Sequence, residues 1–477
     1  MIGILFCAAL LASPADTAAV ETAPTVITLE QALQIALSES PTVKIADKEV
    51  ERTGYSRKGT YSALFPTIDG SASYQRTIKK QVMYMDFDMS SITGGGDSSQ
   101  AVASSSGTSS GGGIEVGRWN TWTGGVTAAM PLVNAQLWKS LKISDLDVEL
   151  SVEKARSSRL QTVEQVKQTY FVCLLAREAF NVYKSVYENA LENLEQIQRK
   201  YNAQKASELE LTRAKTSVAN AIPDVYDAES SLYISLWQLK AVMGVNLEEN
   251  IDVAGSLNDY ADNMTSDMMD AESGELTLEN NSSMRQLALQ AEQLANTVKL
   301  QQYANIPSLA LAFSFNMNAM TNDFKFSEYK WSPYSYAGLS LSIPIFAGGK
   351  RSSAIKQARV QAQELDLQRE NTERQLKISI RQDLNTMETA VKSYAAAVSA
   401  VESARKAYDI AVKSYDVGRS TLTDLNSAQL ALTQAQLSVA QAVYNFMVAK
   451  ADLEGVIGAD FTDTKSLLST KSCGRLL

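Results

Sequence analysis

The stretch that decides the fold lies near the C-terminus, from Thr421 to Gly458, and reads TLTDLNSAQLALTQAQLSVAQAVYNFMVAKADLEGVIG. Apolar or small residues recur in it every three or four positions, and a mean spacing of about 3.5 residues is the seam of a coiled coil. The pattern therefore predicts one long helix that packs against other helices along its whole length. Its seam residues are Leu425, Ala428, Leu432, Ala435, Val439, Ala442, Phe446, Ala449 and Leu453.

The chain contains this stretch twice. Residues 207–244 read SELELTRAKTSVANAIPDVYDAESSLYISLWQLKAVMG, and both copies end in a glycine that suits a helix C-cap, Gly244 and Gly458. Upstream, Gly125–Pro131 and Gly338–Pro344 also match, as short alternating segments that end in proline. Repetition at this distance predicts a duplicated architecture. The first-copy positions that lie 214 residues before the seam are Leu211, Ala214, Val218, Ala221, Val225, Ala228, Leu232, Ser235 and Leu239.

Two further segments predict helices that are longer still. No proline occurs from Lys350 to about Tyr415, and Trp138 to about Tyr201 is the counterpart in the first copy. At a rise of 1.5 Å per residue, such a helix is roughly 100 Å long. Ordinary amphipathic helices of a bundle are the alternative. The matched seams favour long helices packed side by side, because a helix of this length needs partner helices throughout.

Alternating apolar and polar residues predict four strands, two in each half. The clearest runs are Leu309–Asn318 and Ala337–Ile343, and the first copy offers Ile68 to about Lys80 and Trp122–Met130. These runs have about the length of a tilted membrane strand, with one apolar face and one small or polar face.

The strands fit either a soluble hairpin with one solvated face or a membrane barrel. A secretory start and the lack of an apolar run of ~20 residues favour the barrel. Four strands cannot close a barrel alone and open edges are not tolerated in lipid, so a membrane-spanning chain must oligomerise. Trp331, Tyr334 and Tyr336 would then form an aromatic girdle, and residues 91–113 and 321–333 external loops.

The two ends of the chain predict processing and flexibility. The N-terminus is apolar from Ile2 to Ala12 and then small and polar, which predicts a signal peptide at residues 1–19. A basic n-region is missing, so the true start stays open. Cys7 allows lipidation as an alternative, although the residues before it lack the small side chains of a lipobox. We expect a flexible tail at residues 461–477.

The composition argues against catalysis and against nucleic-acid binding. Histidine is absent, which removes the commonest general base and metal ligand. Cys7, Cys173 and Cys473 have no spacing that encodes a zinc site or a disulfide framework. The net charge of −9 opposes binding to phosphate backbones. No phosphate loop or dinucleotide fingerprint occurs, so we predict no enzyme activity, cofactor or metal site.

Three motifs resemble the TolC-like outer membrane factor family. They are the opening Ile27–Leu33 (ITLEQAL), the strand exit Pro344–Gly349 (PIFAGG) and the segment Tyr415–Leu425 (YDVGRSTLTDL). The resemblance covers about residues 27 to 458. It implies a mainly α-helical chain with duplicated long helical hairpins. Three chains would form a homotrimer, with a periplasmic helical barrel topped by a twelve-stranded outer-membrane β-barrel to which each chain gives four strands.

The resemblance also implies a function and partners. Family members of Gram-negative cells act in tripartite efflux or type I secretion, where a periplasmic adaptor joins them to an inner-membrane transporter. The chain would therefore conduct substrates passively across the outer membrane, in contact with outer-membrane lipid. The substrate is not encoded. The alternative function is that of an extended coiled-coil structural or surface protein without a channel, which would leave the alternating hairpins unexplained.

The predicted domains follow the duplication. After the signal peptide come a first repeat at 20–260, a linker at 261–276 and a second repeat at 277–460. The first repeat has a strand pair at 68–130 and a hairpin tip near 204–207, and the second has a strand pair at 308–346 and a tip near 418–421.

The hairpin tips carry the candidate site. The resemblance implies that adaptors dock at the two turns, and that Asp424, with Glu210 in the same register, lines a constriction of the pore. Gln204 stands where the family has glycine, which leaves the shape of the first turn open. Ser207-x-x-Glu210 and Thr421-x-x-Asp424 also fit the capping box, which makes Ser207 and Thr421 helix caps. The docking residues are Gln204, Lys205, Ala206, Ser207, Gly418, Arg419, Ser420 and Thr421.

Overall fold

The computed structural model describes residues 25–83, 114–273 and 276–458. The predicted signal peptide, the Ser/Gly-rich loop at 91–113 and the tail at 461–477 lie outside the described residues.

Helices make up most of the described chain. The helices are α1 Leu29–Glu39, α2 Pro41–Ser62, α3 Ala135–Asn202, α4 Glu208–Met243, α5 Asn258–Ala261, α6 Met264–Ser273, α7 Ser282–Tyr303, α8 Lys350–Asp416 and α9 Leu422–Ile457. The strands are β1 Thr25–Ile27, β2 Thr67–Arg76, β3 Gln81–Met83, β4 Ile114–Val116, β5 Asn120–Val133, β6 Ile251–Val253, β7 Ser308–Thr321 and β8 Ser332–Ser342. The prediction of a mainly helical chain with very long helices is confirmed, since α3 and α8 have 68 and 67 residues.

The chain divides into two compact units. The first contains the described residues up to Arg52, Glu149–Leu289 and the described residues from Leu365 onward. The second contains Thr53–Val148 and Gln290–Glu364.

The seam helices of the first unit bury the predicted residues. In α4, seven of the nine seam positions are buried, and Val225 and Leu232 are half-buried. In α9, seven are buried, and Ala428 and Val439 are half-buried. The two helices have the same length of 36 residues, and each ends at a left-handed glycine. Burial of this stripe supplies the hydrophobic stabilisation that holds each hairpin together.

The main core of the first unit includes a small parallel ladder that the sequence analysis missed. β1 pairs with β6 in parallel, with Ile27 opposite Val253. The Tyr170 hydroxyl of α3 donates to the Ile27 carbonyl at 3.2 Å and to the Ala254 carbonyl at 2.7 Å. The other large, fully buried side chains around it include Phe171, Leu174, Leu239, Met243, Met264, Met387 and Phe446. These contacts join the chain's first strand to the long helices.

The second unit is built on a four-stranded antiparallel sheet in the order β2-β5-β7-β8. β2 and β8 are its edges, and every residue of both is exposed. β3 and β4 form a separate two-stranded ladder. The four strands of one chain therefore form an open sheet and not a closed barrel.

The register gives the sheet two chemically different faces. On one face, Phe313 stands between Ala128 and Ala337, and Leu311 stands between Met130 and Leu339. This apolar face continues through Val126, Phe315, Met317, Trp122 and Tyr74. The opposite, polar face carries Asp69, Ser71, Thr123, Thr127, Ser314, Asn316, Tyr334 and Tyr336.

The expected aromatic girdle needs a correction. Tyr336 is opposite Ser314 and Tyr334 is opposite Asn316, so both tyrosines lie on the polar face. Side chains alternate between the two faces of β8, so the tyrosines lie on the face opposite to that of Leu339 and Leu341. Closeness in sequence therefore did not identify which face they occupy. The ring pair on the apolar face is Tyr74 and Trp122, with centroids 4.3 Å apart.

Among the residues that the structure describes, none of the helices is long and apolar enough to cross a membrane.

Candidate functional site

The turn at the first hairpin tip, directly after α3, contains a residue in a left-handed conformation. Gln204 has φ of +57°, and it is the only non-glycine residue with positive φ in the described part of the chain. Its N–H donates to the Tyr201 carbonyl at 2.9 Å, and the Lys205 N–H donates to the Lys200 carbonyl at 2.8 Å. This pair of bonds is the Schellman motif, which satisfies carbonyls at the end of a helix.

The second tip has the same backbone geometry 214 residues later. Gly418 has φ of +75° and its N–H donates to the Tyr415 carbonyl at 3.0 Å. The Arg419 N–H donates to the Ser414 carbonyl at 2.8 Å. The turn shape that the substitution of Gln for Gly left open is therefore the same in both copies. Gln204 adopts it against the steric preference of an L-residue, at a cost of roughly 1–2 kcal/mol.

Both seam helices begin with a capping box. The Ser207 Oγ accepts from the Glu210 N–H at 3.2 Å, and the Glu210 carboxylate accepts from the Ser207 N–H at 2.9 Å. Thr421 Oγ1 accepts from the Asp424 N–H at 3.2 Å, and the Asp424 carboxylate accepts from the Thr421 N–H at 2.9 Å. Each acid thus satisfies a backbone donor at the positive end of a helix.

The two caps differ in their exposure. Asp424 is exposed, and the hydrogen bonds from the Thr421 backbone and hydroxyl lower the pKa of its carboxyl. Glu210 is half-buried, and its charge interacts with the Tyr415 hydroxyl. Burial raises the pKa of Tyr415, and the Glu210 charge raises it further. The two acids therefore share the capping role in different environments, since Asp424 is exposed and Glu210 is half-buried.

A separate hydrophobic cluster brings the two tips together. Its buried members are Ile197, Leu211, Ala214, Leu422 and Leu425, from α3, α4 and α9. Half-buried residues pack against it, including Ala206 of the first turn and Tyr415 of α8. The Ser420 hydroxyl also donates to the Ala411 carbonyl at 3.4 Å. The docking candidates Lys205 and Arg419 are both exposed at the turns.

One lysine that the sequence analysis did not identify joins the ends of the long helices. The Lys200 Nζ lies 3.7 Å from the Asp416 carboxylate and 5.3 Å from the centroid of the Tyr415 ring. The position that matches Lys200 in the second copy is Ser414, so the repeat comparison gave no signal for it.

A groove beside the tips lies between α4 and α9, with α3 behind it. Its volume is about 590 Å³, and the polar side chains in its lining include Thr216 and Asn220 from α4 and Asn426 and Ser427 from α9. Gln429 also lines it, and the Oε1 of this side chain is buried without a hydrogen-bond partner among the described residues. A buried acceptor without a partner carries a desolvation cost.

A second group of acids lies within the first unit, away from the tips. Glu164 of α3, Asp383 of α8 and Asp452 of α9 interact with one another, and the Gln168 amide donates to Asp452 at 2.6 Å and to Glu164 at 3.4 Å. Gly455 makes room for Glu164, because a Cβ there would lie 2.7 Å from its carboxylate. Burial and the neighbouring carboxylates raise the pKa of Glu164 to about 7 and that of Asp383 to about 6.

The acids of the described chain form no group suited to a metal ion.

Comparison with known families matches most of the chain to one description. The family "Outer membrane efflux protein" matches residues 32–245 and 274–459. A curated relative, the "Proteases secretion protein PrtF" of Dickeya chrysanthemi, is 21% identical over 265 residues, which are 54% of this chain. The alignment spans only 56% of that relative's length.

Solved structures share the fold at low sequence identity. The CmeC outer membrane channel of Campylobacter jejuni matches 90% of this chain and 85% of its own, with a TM-score of 0.67 and 19% identity. VceC of Vibrio cholerae matches 90% of this chain and 96% of its own, with a TM-score of 0.66 and 14% identity. The open state of the MtrE outer membrane channel of Neisseria gonorrhoeae matches 90% of this chain and 88% of its own, with a TM-score of 0.64 and 16% identity.

Exchanging the residues at the two left-handed positions changes the local stability of the tips in opposite directions. Gln204→Gly removes the steric cost at the first turn and Gly418→Gln introduces it at the second, about 1 kcal/mol in each case. Native-state hydrogen exchange measures this at the Lys205 and Arg419 amides. We expect roughly fivefold slower exchange at Lys205 in the first variant and roughly fivefold faster exchange at Arg419 in the second. Changes of the same sign in both variants would contradict the account.

The raised pKa of Glu164 makes stability depend on pH. Because this pKa is raised from its usual 4.5 to about 7, the folded chain binds a proton that the unfolded chain releases between these values. Stability from this group is therefore fully present below about pH 4.5 and falls as the pH rises through 7. Thermal unfolding across this range should show a smaller pH dependence in Glu164→Gln, whereas the exposed control Glu388→Gln should leave it unchanged. An unaltered dependence in Glu164→Gln would refute the assignment.

Proposed function

Since the chain belongs to the outer membrane efflux protein family, we propose that it is the outer-membrane channel of a tripartite efflux or type I secretion system. Substrates pass through it passively, from the periplasm or an inner-membrane transporter to the exterior. One observation carries the proposal: the chain joins two matching helical hairpins to a sheet that has one apolar face, one polar face and two unpaired edges. A long conduit with a membrane-embedded end needs these parts.

The sheet supports assembly as a trimer with a closed barrel. In a membrane, the free backbone groups of β2 and β8 must find partners. β2 and β8 run in opposite directions within the sheet, so β8 of one copy can pair antiparallel with β2 of the next. Three copies then give a barrel of twelve strands. Its apolar face meets lipid and its polar face, with Asp69 and Asn316, lines a water-filled lumen.

An exposed stripe on α4 supports the same assembly. Ile222, Tyr226, Tyr233 and Trp237 recur at helical spacing and are 37%, 66%, 55% and 55% exposed. Exposed apolar residues that align along one helix mark an interaction surface. A second copy is the occupant, because the aromatic stripe lies on a helix whose opposite side is already buried in the seam. Adjacent hairpins of neighbouring copies would cover it and complete the periplasmic barrel.

Processing and domain limits follow the duplicated sequence. The signal peptide at 1–19 directs secretion, and the two repeats occupy 20–260 and 277–460 with a linker between them. The location is then the outer membrane, with the helical part extending into the periplasm.

The tips are the docking region for a periplasmic adaptor. The turns at 204–207 and 418–421 present the exposed cations Lys205 and Arg419. The groove beside them offers hydroxyl and amide groups, from Thr216, Asn220 and Asn426 among others. These groups suit a partner with acidic and hydrogen-bonding side chains, as a helical adaptor tip has.

Asp424 and Glu210 form the constriction at the periplasmic entrance. In a trimer the two positions contribute six carboxylates around one mouth, and carboxylate rings favour cations over anions. The lowered pKa of Asp424 keeps its carboxyl charged in mildly acidic solution. The same side chain also caps α9, so a test must separate the charge from the cap.

Conductance in planar bilayers makes this separation. Asp424→Asn removes the charge, and we expect larger single-channel steps with weaker cation selectivity. Thr421→Val is the matched control, because it removes the capping hydroxyl, at a cost of about 1 kcal/mol, and keeps the carboxylate. It should leave selectivity unchanged. Equal effects of both substitutions would reduce Asp424 to a helix cap, and the absence of steps from folded wild-type protein would refute the channel and favour a coiled-coil structural protein.

The α4 stripe predicts the stability of the trimer. Tyr and Trp side chains bury 150–250 Å² each, so at about 25 cal/mol per Å² the pair at Tyr233 and Trp237 contributes several kcal/mol to each interface. Light scattering of the purified protein should show three copies for the wild type and dissociation of Tyr233→Ala/Trp237→Ala at the same concentration. Leu209→Ala, which removes an exposed apolar side chain at the tip, is the control. Intact trimers of the double variant would exclude this stripe as the interface.

A further inference from the structure

The apolar face of the sheet changes character along β2. The residues on this face are, in order, Ile68, Gly70, Ala72, Tyr74 and Arg76. The face therefore passes from apolar through aromatic to basic within one strand. In membrane strands, the change from apolar to aromatic side chains occurs where the hydrocarbon core ends, because amphipathic rings prefer the membrane–water interface. A cation beyond the ring lies at the level of lipid head groups.

Aromatic rings surround this position. Tyr74 contacts Trp122 at a centroid distance of 4.3 Å and Phe324 at 6.3 Å, and Trp122 contacts Phe326 edge-on at 4.7 Å. We name these four residues the distal aromatic patch, because they lie where β2 ends, away from α2. Tyr74, Phe324 and Phe326 are 42%, 55% and 55% exposed, so the patch presents ring surface outside the protein.

Two cations rest on rings at this end of the sheet. The Arg76 guanidinium lies 5.7 Å from the centroid of Phe324, and the Lys80 ammonium lies 4.8 Å from that of Trp119. Within the described part of the chain, neither forms a salt bridge with a carboxylate. Lys325 at the same end of the sheet differs, because Glu328 lies 3.9 Å from it. Arg76 and Lys80 are thus preorganised positive charges that no described acid neutralises.

We propose that Arg76 and Lys80 bind phosphate groups in the head groups of the outer-leaflet lipid, with the distal aromatic patch against the adjoining part of the same lipid. The inference rests on the proposed function, since it requires the apolar face to lie in a membrane. Guanidinium binds phosphate through two parallel hydrogen bonds, and ammonium binds it as a compact charge. The order of apolar, aromatic and basic groups on one face matches the order of groups in a phosphorylated lipid, whereas a protein partner would not require it.

The exposure of Ile78 also supports contact with lipid. It lies between the two cations in sequence and is 95% exposed. An almost fully exposed isoleucine beside an arginine and a lysine is unfavourable in water, but it is suited to a lipid interface, where apolar and cationic groups both find partners.

Native mass spectrometry of the detergent-solubilised full chain tests the proposal. The probe is a bisphosphorylated glycolipid of the lipid A type, with its dephosphorylated form as the lipid control. The wild type should bind the phosphorylated form at least several-fold more tightly than the dephosphorylated one. Arg76→Gln and Lys80→Gln should each weaken this binding about fivefold, as expected for one basic group near a lipid surface. Lys325→Gln, at the same end but paired with Glu328, should bind like the wild type.

Equal binding by all variants, or equal binding of both lipids by the wild type, would overturn the inference. Conductance of the same samples in phosphatidylcholine bilayers distinguishes this failure from failure of the proposed function. If the channels conduct normally but lipid binding does not depend on Arg76 and Lys80, only the proposed lipid site is refuted. If the wild-type protein neither conducts nor enters bilayers, both the proposed channel and the proposed lipid site are refuted.

Discussion

The unpaired edges of the sheet are the constraint on which the rest of the account depends. β2 and β8 are the outermost strands of the sheet, so among the described residues each has a row of backbone N–H and C=O groups without a strand partner on its outer side. Exposed edges of this length are a liability in water and are not tolerated in lipid, where no solvent satisfies them. One chain cannot remove the problem by closing its own sheet, because four strands are too few. The proposed pairing of β8 with β2 of another copy removes it, and this requirement links the chain's local structure to the proposed assembly.

The duplication extends this logic to the helices. α4 and α9 have the same length, the same buried stripe, a capping box at the start and a left-handed glycine at the end. The two tips share one hydrophobic cluster, and Lys200 joins the ends of α3 and α8 through Asp416 and Tyr415. Two equivalent hairpins per chain give a ring of similar elements when copies assemble, as side-by-side packing of long helices requires. The departures from equivalence, at Gln204 and Lys200, lie at the tips where a partner would distinguish one hairpin from the other.

Much of the fold could be predicted because its signals are local or periodic. The seam residues recur over about eight helical turns, so their period is unambiguous. The hydroxyl-x-x-acid pattern at Ser207 and Thr421 determines a hydrogen-bonded geometry within four residues. The β1–β6 ladder had no such signal, because strands of three residues carry no periodicity and their partners are far apart in sequence. The left-handed Gln204 contradicts the preference of its residue type, and only the matching turn at Gly418 pointed to it. The cluster of Glu164, Asp383 and Asp452 depends on the packing of three helices, which a sequence does not specify.

The most direct test of the central claim is a single-particle cryo-electron microscopy structure of the full chain in lipid nanodiscs. We expect three copies around one axis, with β8 of each chain hydrogen-bonded antiparallel to β2 of the next in a closed sheet of twelve strands. The apolar face that contains Phe313 and Leu311 would contact lipid, and the face that contains Asn316 would line the lumen. A different number of copies, or edges of β2 and β8 left unpaired within the bilayer, would contradict it.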